Sequence, residues 1–129
     1  MRYLSTEWFD AARDALAADP GLPAATAGVR LTLVQTVTDA PGGPVRWRLV
    51  LDDGTVRLET GGDPEGGDLR FTTDYATAAA IAAGELGAPT AFMRGDLKVG
   101  GDLTLLTSQH RGLAALHDAL ADVRKDTVF

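Results

Sequence analysis

The sequence predicts an α+β fold: a five-stranded, mostly antiparallel sheet covered on one face by helices. Three observations predict it. Four segments between residues 29 and 73 alternate apolar and polar side chains with period two, the pattern of strands with one wet face. Segments with helical spacing and capping residues frame them on both sides. The chain has 129 residues, which fits one domain and one core over residues 1–129, with no linker and no internal repeat.

Ser5 is a good N-cap, with Leu4 before it and Phe9 placed to staple the first turn. Trp8, Ala12, Ala15 and Leu16 then recur at helical spacing, and Pro20–Gly21 ends the helix near Asp19. Residues 21–28 form a loop with room for one turn of helix. In the first strand, Val29, Leu31, Leu33, Gln35 and Val37 share a face. Arg30, Thr32, Thr36 and Thr38 take the other, broken by Val34. In the second, Val45, Trp47, Leu49 and Leu51 oppose Arg46 and Arg48. The triplet Asp52-Asp53-Gly54 signals a tight hairpin. Val56 and Leu58 mark the third strand. A glycine-rich crossover over residues 61–68 leads to a fourth strand with Leu69 and Phe71 on one face.

Asp74 then caps an alanine-rich helix that Gly84 ends. Pro89 opens a short helix carrying Phe92 and Met93. Asp96 to Val99 form the fifth strand. Asp102 caps a last helical region in which Leu103, Leu106, Leu113, Leu116 and Leu120 keep helical spacing, with Gly112 as its point of division. The order is helix, three strands, crossover, strand, helices, strand, helix, with the helices on one face of the sheet.

Composition narrows the function. The net charge is −6, and twelve basic residues are scattered among eighteen acids. Nucleic-acid binding needs clustered Lys and Arg, so no nucleic-acid partner is expected. The acidity also opposes charge-driven docking on an anionic membrane. No apolar run spans a bilayer and the start lacks a signal-peptide core, so stable membrane insertion is not expected and the cytoplasm is the default location. There is no cysteine, hence no disulfide, zinc-thiolate site or thiol nucleophile. Arginine outnumbers lysine, and Ala, Gly and Asp are abundant, as in a high-GC bacterial gene. Alanine leads the hydrophobic set while aromatics are 6%. Thin helix faces of this kind leave either close helix approach or unfilled volume, and lasting empty space usually belongs to a ligand.

Few motifs carry catalytic chemistry. Gly95 to Gly100 satisfies half of a phosphate-binding loop, but Gly101 and Asp102 stand where Lys and Ser or Thr are needed. On a continuous helix His110 and His117 share a face, about 10.5 Å apart. That is too far for one metal, with bonds of about 2 Å, so no metal site is expected. They fall in register with the leucine stripe, from which they would meet the polar end of a ligand. Nothing around Ser5 or Ser108 resembles a nucleophile elbow. Asp74, Asp96 and Asp102 read as element starts rather than catalytic acids. Trp47 is core, and also a flat wall for an apolar guest.

The stretch from Ala76 to Leu106 resembles the sterol carrier protein 2 family. Ala91, Phe92, Met93 and Gly95 fit that family's short segment, and Leu97, Lys98, Val99, Gly101, Asp102 and Leu103 its following strand and turn. The likeness extends from about Val29 to Leu120, and the N-terminal helix is closer to the standalone bacterial members. It implies the element order read above, and an apolar tunnel between sheet and helices that takes sterols, fatty acids or acyl-CoA. No cofactor is expected.

The expected function is therefore binding and carriage of an apolar small molecule, without enzyme activity. The expected floor is Leu33, Trp47, Leu49 and Phe71. The expected walls are Ala79, Phe92, Met93, Leu103, Leu106 and Leu113, with His110 and His117 at the ligand's polar end. Two alternatives stand beside this. One is a ligand-free interaction domain, dimeric through an exposed sheet edge. The other is a small enzyme acting on a hydrophobic intermediate with one of the histidines as acid–base.

Overall fold

Ser5 sets the start of α1 (Thr6–Ala18): its hydroxyl accepts the Trp8 backbone N–H at 3.1 Å. Trp8, Phe9, Ala12 and Leu16 form the buried face of this helix. The Asp19 carboxylate then accepts the N–H groups of Gly21 and Leu22 at 2.9 and 3.1 Å. This turn launches α2 (Leu22–Ala25), the single helical turn inside the expected loop. The structure, a computed structural model, describes residues 1–129.

Strands β1 (Arg30–Val37), β2 (Val45–Asp52) and β3 (Thr55–Thr60) form an antiparallel meander. The hairpin between β2 and β3 has φ of 46° at Asp53 and 93° at Gly54. Two positive φ values match the twist of the flanking strands. β4 (Leu69–Thr73) pairs parallel to β1, and β5 (Leu97–Gly101) pairs antiparallel to β4. The sheet order is β3-β2-β1-β4-β5. One parallel pair among three antiparallel pairs is the mostly antiparallel sheet that the alternation predicts.

The crossover before β4 lies on the outer face of the sheet. Asp68 donates its N–H to the Thr32 carbonyl at 2.9 Å, and its carboxylate accepts the Thr32 N–H at 2.8 Å. Gly67 sits so close that a Cβ there would meet a Val34 methyl at 2.9 Å. This explains Val34, the one apolar residue on the wet face of β1: the loop buries it. The rest of that face carries Arg30, Arg46, Arg48, Arg57, Arg70 and Lys98, with Arg48 paired to Glu59 at 2.9 Å. The β3 edge is blunted from α1, where Arg13 Nε donates to the Leu58 carbonyl at 3.0 Å.

β5 runs two residues past the expected end at Val99. Gly101 lies at φ 91°, and a Cβ there would drive into the Asp68 carbonyl. The glycines that read as a turn are thus strand residues that permit a close backbone approach.

Helices α3 (Tyr75–Ala82) and α4 (Ala88–Met93) fill the connection between β4 and β5. Asp74 caps α3, accepting the Thr77 backbone N–H at 2.7 Å. That hydrogen bond stabilises the carboxylate and holds Asp74 below the ordinary carboxyl range. The final helical region is three pieces: α5 (Leu105–Ser108), α6 (His110–Ala119) and α7 (Ala121–Lys125). It breaks at Gln109 and Leu120, not at Gly112. Gly112 lies buried inside α6 with Val29 and Leu51 beside it. Asp102 makes a turn to the Thr104 N–H at 3.1 Å instead of capping the helix. All the helices gather over the inner face, where the core residues Leu31, Leu33, Trp47, Leu49, Leu51 and Leu69 lie.

Candidate functional site

The inner face of the sheet presents three rows set by the strand register. Leu58, Leu49 and Leu33 form the first; Trp47, Gln35 and Phe71 the second; Val37, Thr73 and Leu97 the third. A cavity of about 260 Å³ lies between these rows and the helices, and 18 of its 23 lining residues are hydrophobic. An apolar void of about 150 Å³ already accepts a benzene-sized guest. This one therefore has room for a hydrocarbon segment.

The walls differ sharply. At one end is a cluster of six of the chain's eight aromatics, of which Tyr3, Trp8, Trp47 and Phe129 line the cavity. Tyr3 meets Trp8 edge-on at 5.1 Å and stacks near Phe129 at 5.2 Å, while Trp8 and Phe9 both contact Trp47. Opposite them, α3 offers only Ala78, Ile81 and Ala82, and α4 offers Ala88. Leu113, Leu116 and Leu120 descend from the α6 region as a stripe. The hollow follows from the three alanines: a methyl group where another helix would place a leucine leaves space the sheet cannot fill.

A few polar groups interrupt the apolar lining. Gln35 lies between Trp47 and Phe71 in the middle row. Its amide has no hydrogen-bond partner in the protein, yet no sealed nitrogen or oxygen lacks one. The amide is therefore open to the cavity. Thr73 satisfies its own hydroxyl on the Asp96 carbonyl at 3.1 Å. Burial, with Tyr75 nearby adding to it, pushes the Tyr3 hydroxyl above its ordinary pKa, so it stays a neutral phenol. At the rim, exposed His117 and half-buried Arg124 complete the lining. Arg124 Nε donates to the Ala82 carbonyl at 2.8 Å, and Nη2 donates to the His117 carbonyl at 2.9 Å. No group of three or more His, Asp or Glu side chains stands at metal-binding distance.

Of the residues expected to line a site, the cavity gathers Leu33, Trp47, Leu49, Phe71, Leu113 and His117. The others lie elsewhere. Phe92, Met93 and Leu103 are 45%, 86% and 47% exposed. The expectation that Phe92 and Met93 face inward is corrected by α4's geometry. Its inward residues are Ala88 and Ala91, three apart, and Ala91 is fully buried. A six-residue helix has one such face, and it turns the two bulky residues to the surface. Ala79 and Leu106 are half-buried against the core but outside the cavity. Ala79 is one residue past Ala78, which lines the cavity, and so turns to the side of it. His110 starts α6, exposed and two turns above His117, beyond the hollow.

Gln35 and Arg124 line the cavity without having been expected there. Gln35 carried a signal, the one polar side chain in the inward register of β1. Arg124 lies seven residues after His117, the same spacing that joins His117 to His110, and that two-turn relation survives the break at Leu120.

The model of the SCP-2 sterol transfer family matches the chain over residues 9–111. The chain belongs to that family. Membership places this SCP-2 chain among lipid-binding and lipid-transfer domains, and the solved structures agree with it on the fold. A conserved hypothetical protein of Thermus thermophilus is 22% identical, with a TM-score of 0.77 over 95% of this chain and 90% of that one. A crystal structure of sterol carrier protein 2 is 21% identical, with a TM-score of 0.77 over 96% and 98%. The apo sterol carrier protein 2 of Yarrowia lipolytica is 21% identical, with a TM-score of 0.66 over 86% and 87%. The fold also occurs fused to an enzyme: a sec-alkylsulfatase of Pseudomonas sp. matches 75% of this chain with 14% of its own. No curated protein matches the chain. No helix is long and apolar enough to cross a membrane.

Proposed function

We propose that this SCP-2 chain binds and carries an apolar small molecule, a fatty acid, acyl-CoA, sterol or other lipid, in the space between sheet and helices. The observation that carries this is the 260 Å³ hollow with a predominantly hydrophobic lining and a rim that reaches the surface at His117 and Phe129. A cavity of this kind is filled by transfer of hydrocarbon from water. Burial supplies about 25 cal/mol per Å², so an alkyl tail that hides about 200 Å² gains about 5 kcal/mol before the costs of association. The rim gives a way in and out without unfolding the sheet, which suits a carrier. The solved neighbours include the palmitated sterol carrier protein 2-like 2 of Aedes aegypti, and a fatty acyl chain is among the guests proposed here.

Mass spectrometry of the purified protein under native conditions, followed by organic extraction, tests the reading. A mass above that of the chain and a lipid in the extract are expected. A fluorescent acyl or steroid probe should bind at micromolar levels. An empty protein that binds neither probe would end the carrier reading.

A further inference from the structure

We propose that Arg124 is the anchor for an anionic head group, and that the cavity therefore selects tails ending in a negative charge over matched tails ending in a hydroxyl. This rests on the lipid-binding reading above. It assigns the end of the guest, which the hydrophobic lining leaves open.

Arg124 is half-buried in the wall of a cavity whose other residues are mostly apolar. A charge in such a place is normally matched by a counter-charge. Arg124 has none within the protein: the five ion pairs of the chain lie elsewhere, and Asp122, on the same helix, pairs with Lys125. The guanidinium is held in place, not free. Nε is fixed on the last carbonyl of α3, at Ala82, and Nη2 on the carbonyl of His117. Nη2 also lies 3.0 Å from His117 Nε2. Arg124 can only donate, so His117 Nε2 is the acceptor in that contact.

Three of the guanidinium's contacts thus orient it, and Nη1 remains without a protein partner. Because no sealed nitrogen lacks a partner, Nη1 is open to solvent-sized space. An oriented, unpaired guanidinium with one free amino group at the rim of an apolar hollow is built to meet an oxyanion. The shared chemistry is an anionic oxygen group on a hydrocarbon tail, whether carboxylate or phosphate. The tail would run inward over Leu113 and Leu120 toward the floor, leaving the head at the surface.

The test is a chain-matched series measured by displacement of a fluorescent probe at low salt: dodecanoate, dodecyl phosphate and dodecanol. The wild type should bind at least one of the anions about tenfold more tightly than the alcohol, and the tighter anion identifies the head. Arg124→Met should bring the anions down to the alcohol, with alcohol affinity within about twofold of wild type. Arg124→Lys should keep part of the preference. Equal binding of all three by the wild type overturns the assignment and leaves the carrier reading standing. Binding of none overturns the carrier reading with it. Should Arg124→Met fail to fold through loss of its two carbonyl contacts, Arg124→Gln, which keeps an amide donor without the charge, replaces it with the same expected loss of preference. An undiminished preference in a folded Arg124→Met variant also overturns the assignment.

Discussion

Gln35 is the residue on which the cavity's chemistry turns most directly. An amide open to an apolar hollow keeps its hydration only while the hollow holds water. A hydrocarbon guest passing over the middle row strips that water, and an amide left unpaired costs about 1–3 kcal/mol. Gln35→Leu removes the penalty and continues the leucine and tryptophan floor. The variant should bind a saturated alkyl acid several-fold more tightly than wild type by isothermal titration, with a melting temperature at or above the wild-type value. Weaker binding would mean that the guest hydrogen-bonds the amide, and so carries a second polar group at that depth. The same local reasoning applies to Tyr3: a phenol kept neutral by burial keeps its proton and can offer a hydrogen bond to a guest.

At the level of elements, α3 decides how much room there is. Its inward positions are Ala78, Ile81 and Ala82, and Ala82 is the one nearest the Arg124 contact. Ala82→Leu adds bulk to the cavity while leaving the carbonyl that Arg124 holds untouched. Filling of empty apolar space should leave the melting temperature unchanged or raise it by a few degrees, and affinity for an alkyl acid should fall at least about tenfold. A filled variant that still binds at wild-type strength would place the guest somewhere else. The importance of α3 was legible in the sequence, because an alanine-rich helix next to a leucine- and tryptophan-bearing sheet implies missing volume. The strands were legible for a related reason: one wet face forces strict alternation, and Asp53-Gly54 carries the only backbone that closes a two-residue turn there. α4 was not legible. Bulky apolar side chains are expected to point inward, yet so short a helix lies too near the core for anything larger than Ala91 to fit, and Phe92 and Met93 go outward instead. Nor were the breaks at Gln109 and Leu120, since neither position holds a glycine or proline.

For the molecule as a whole, the two ends of the chain close one side of the hollow together. Val128 donates its N–H to the Met1 carbonyl at 2.6 Å, and Tyr3 donates to the Val128 carbonyl at 3.1 Å, a short parallel bridge between Arg2 and Val128. This bridge lays Phe129 against Tyr3, over the aromatic end of the cavity, with 41% of its surface still exposed. Nothing in the sheet depends on it, so the contact is the cheapest part of the wall to move. It is worth about 1 kcal/mol as an aromatic pair, small enough to open frequently at room temperature, whereas opening the meander would require global unfolding. Guest exit by displacement of Phe129 should therefore be faster than any route through the sheet. Phe129→Ala should raise the release rate of a fluorescent acyl probe at least about threefold in stopped-flow measurements, with a loss of about 1 kcal/mol in stability. An unchanged release rate at the same loss of stability would assign Phe129 to packing alone, and would leave the His117–Arg124 rim as the route by which the guest enters and leaves.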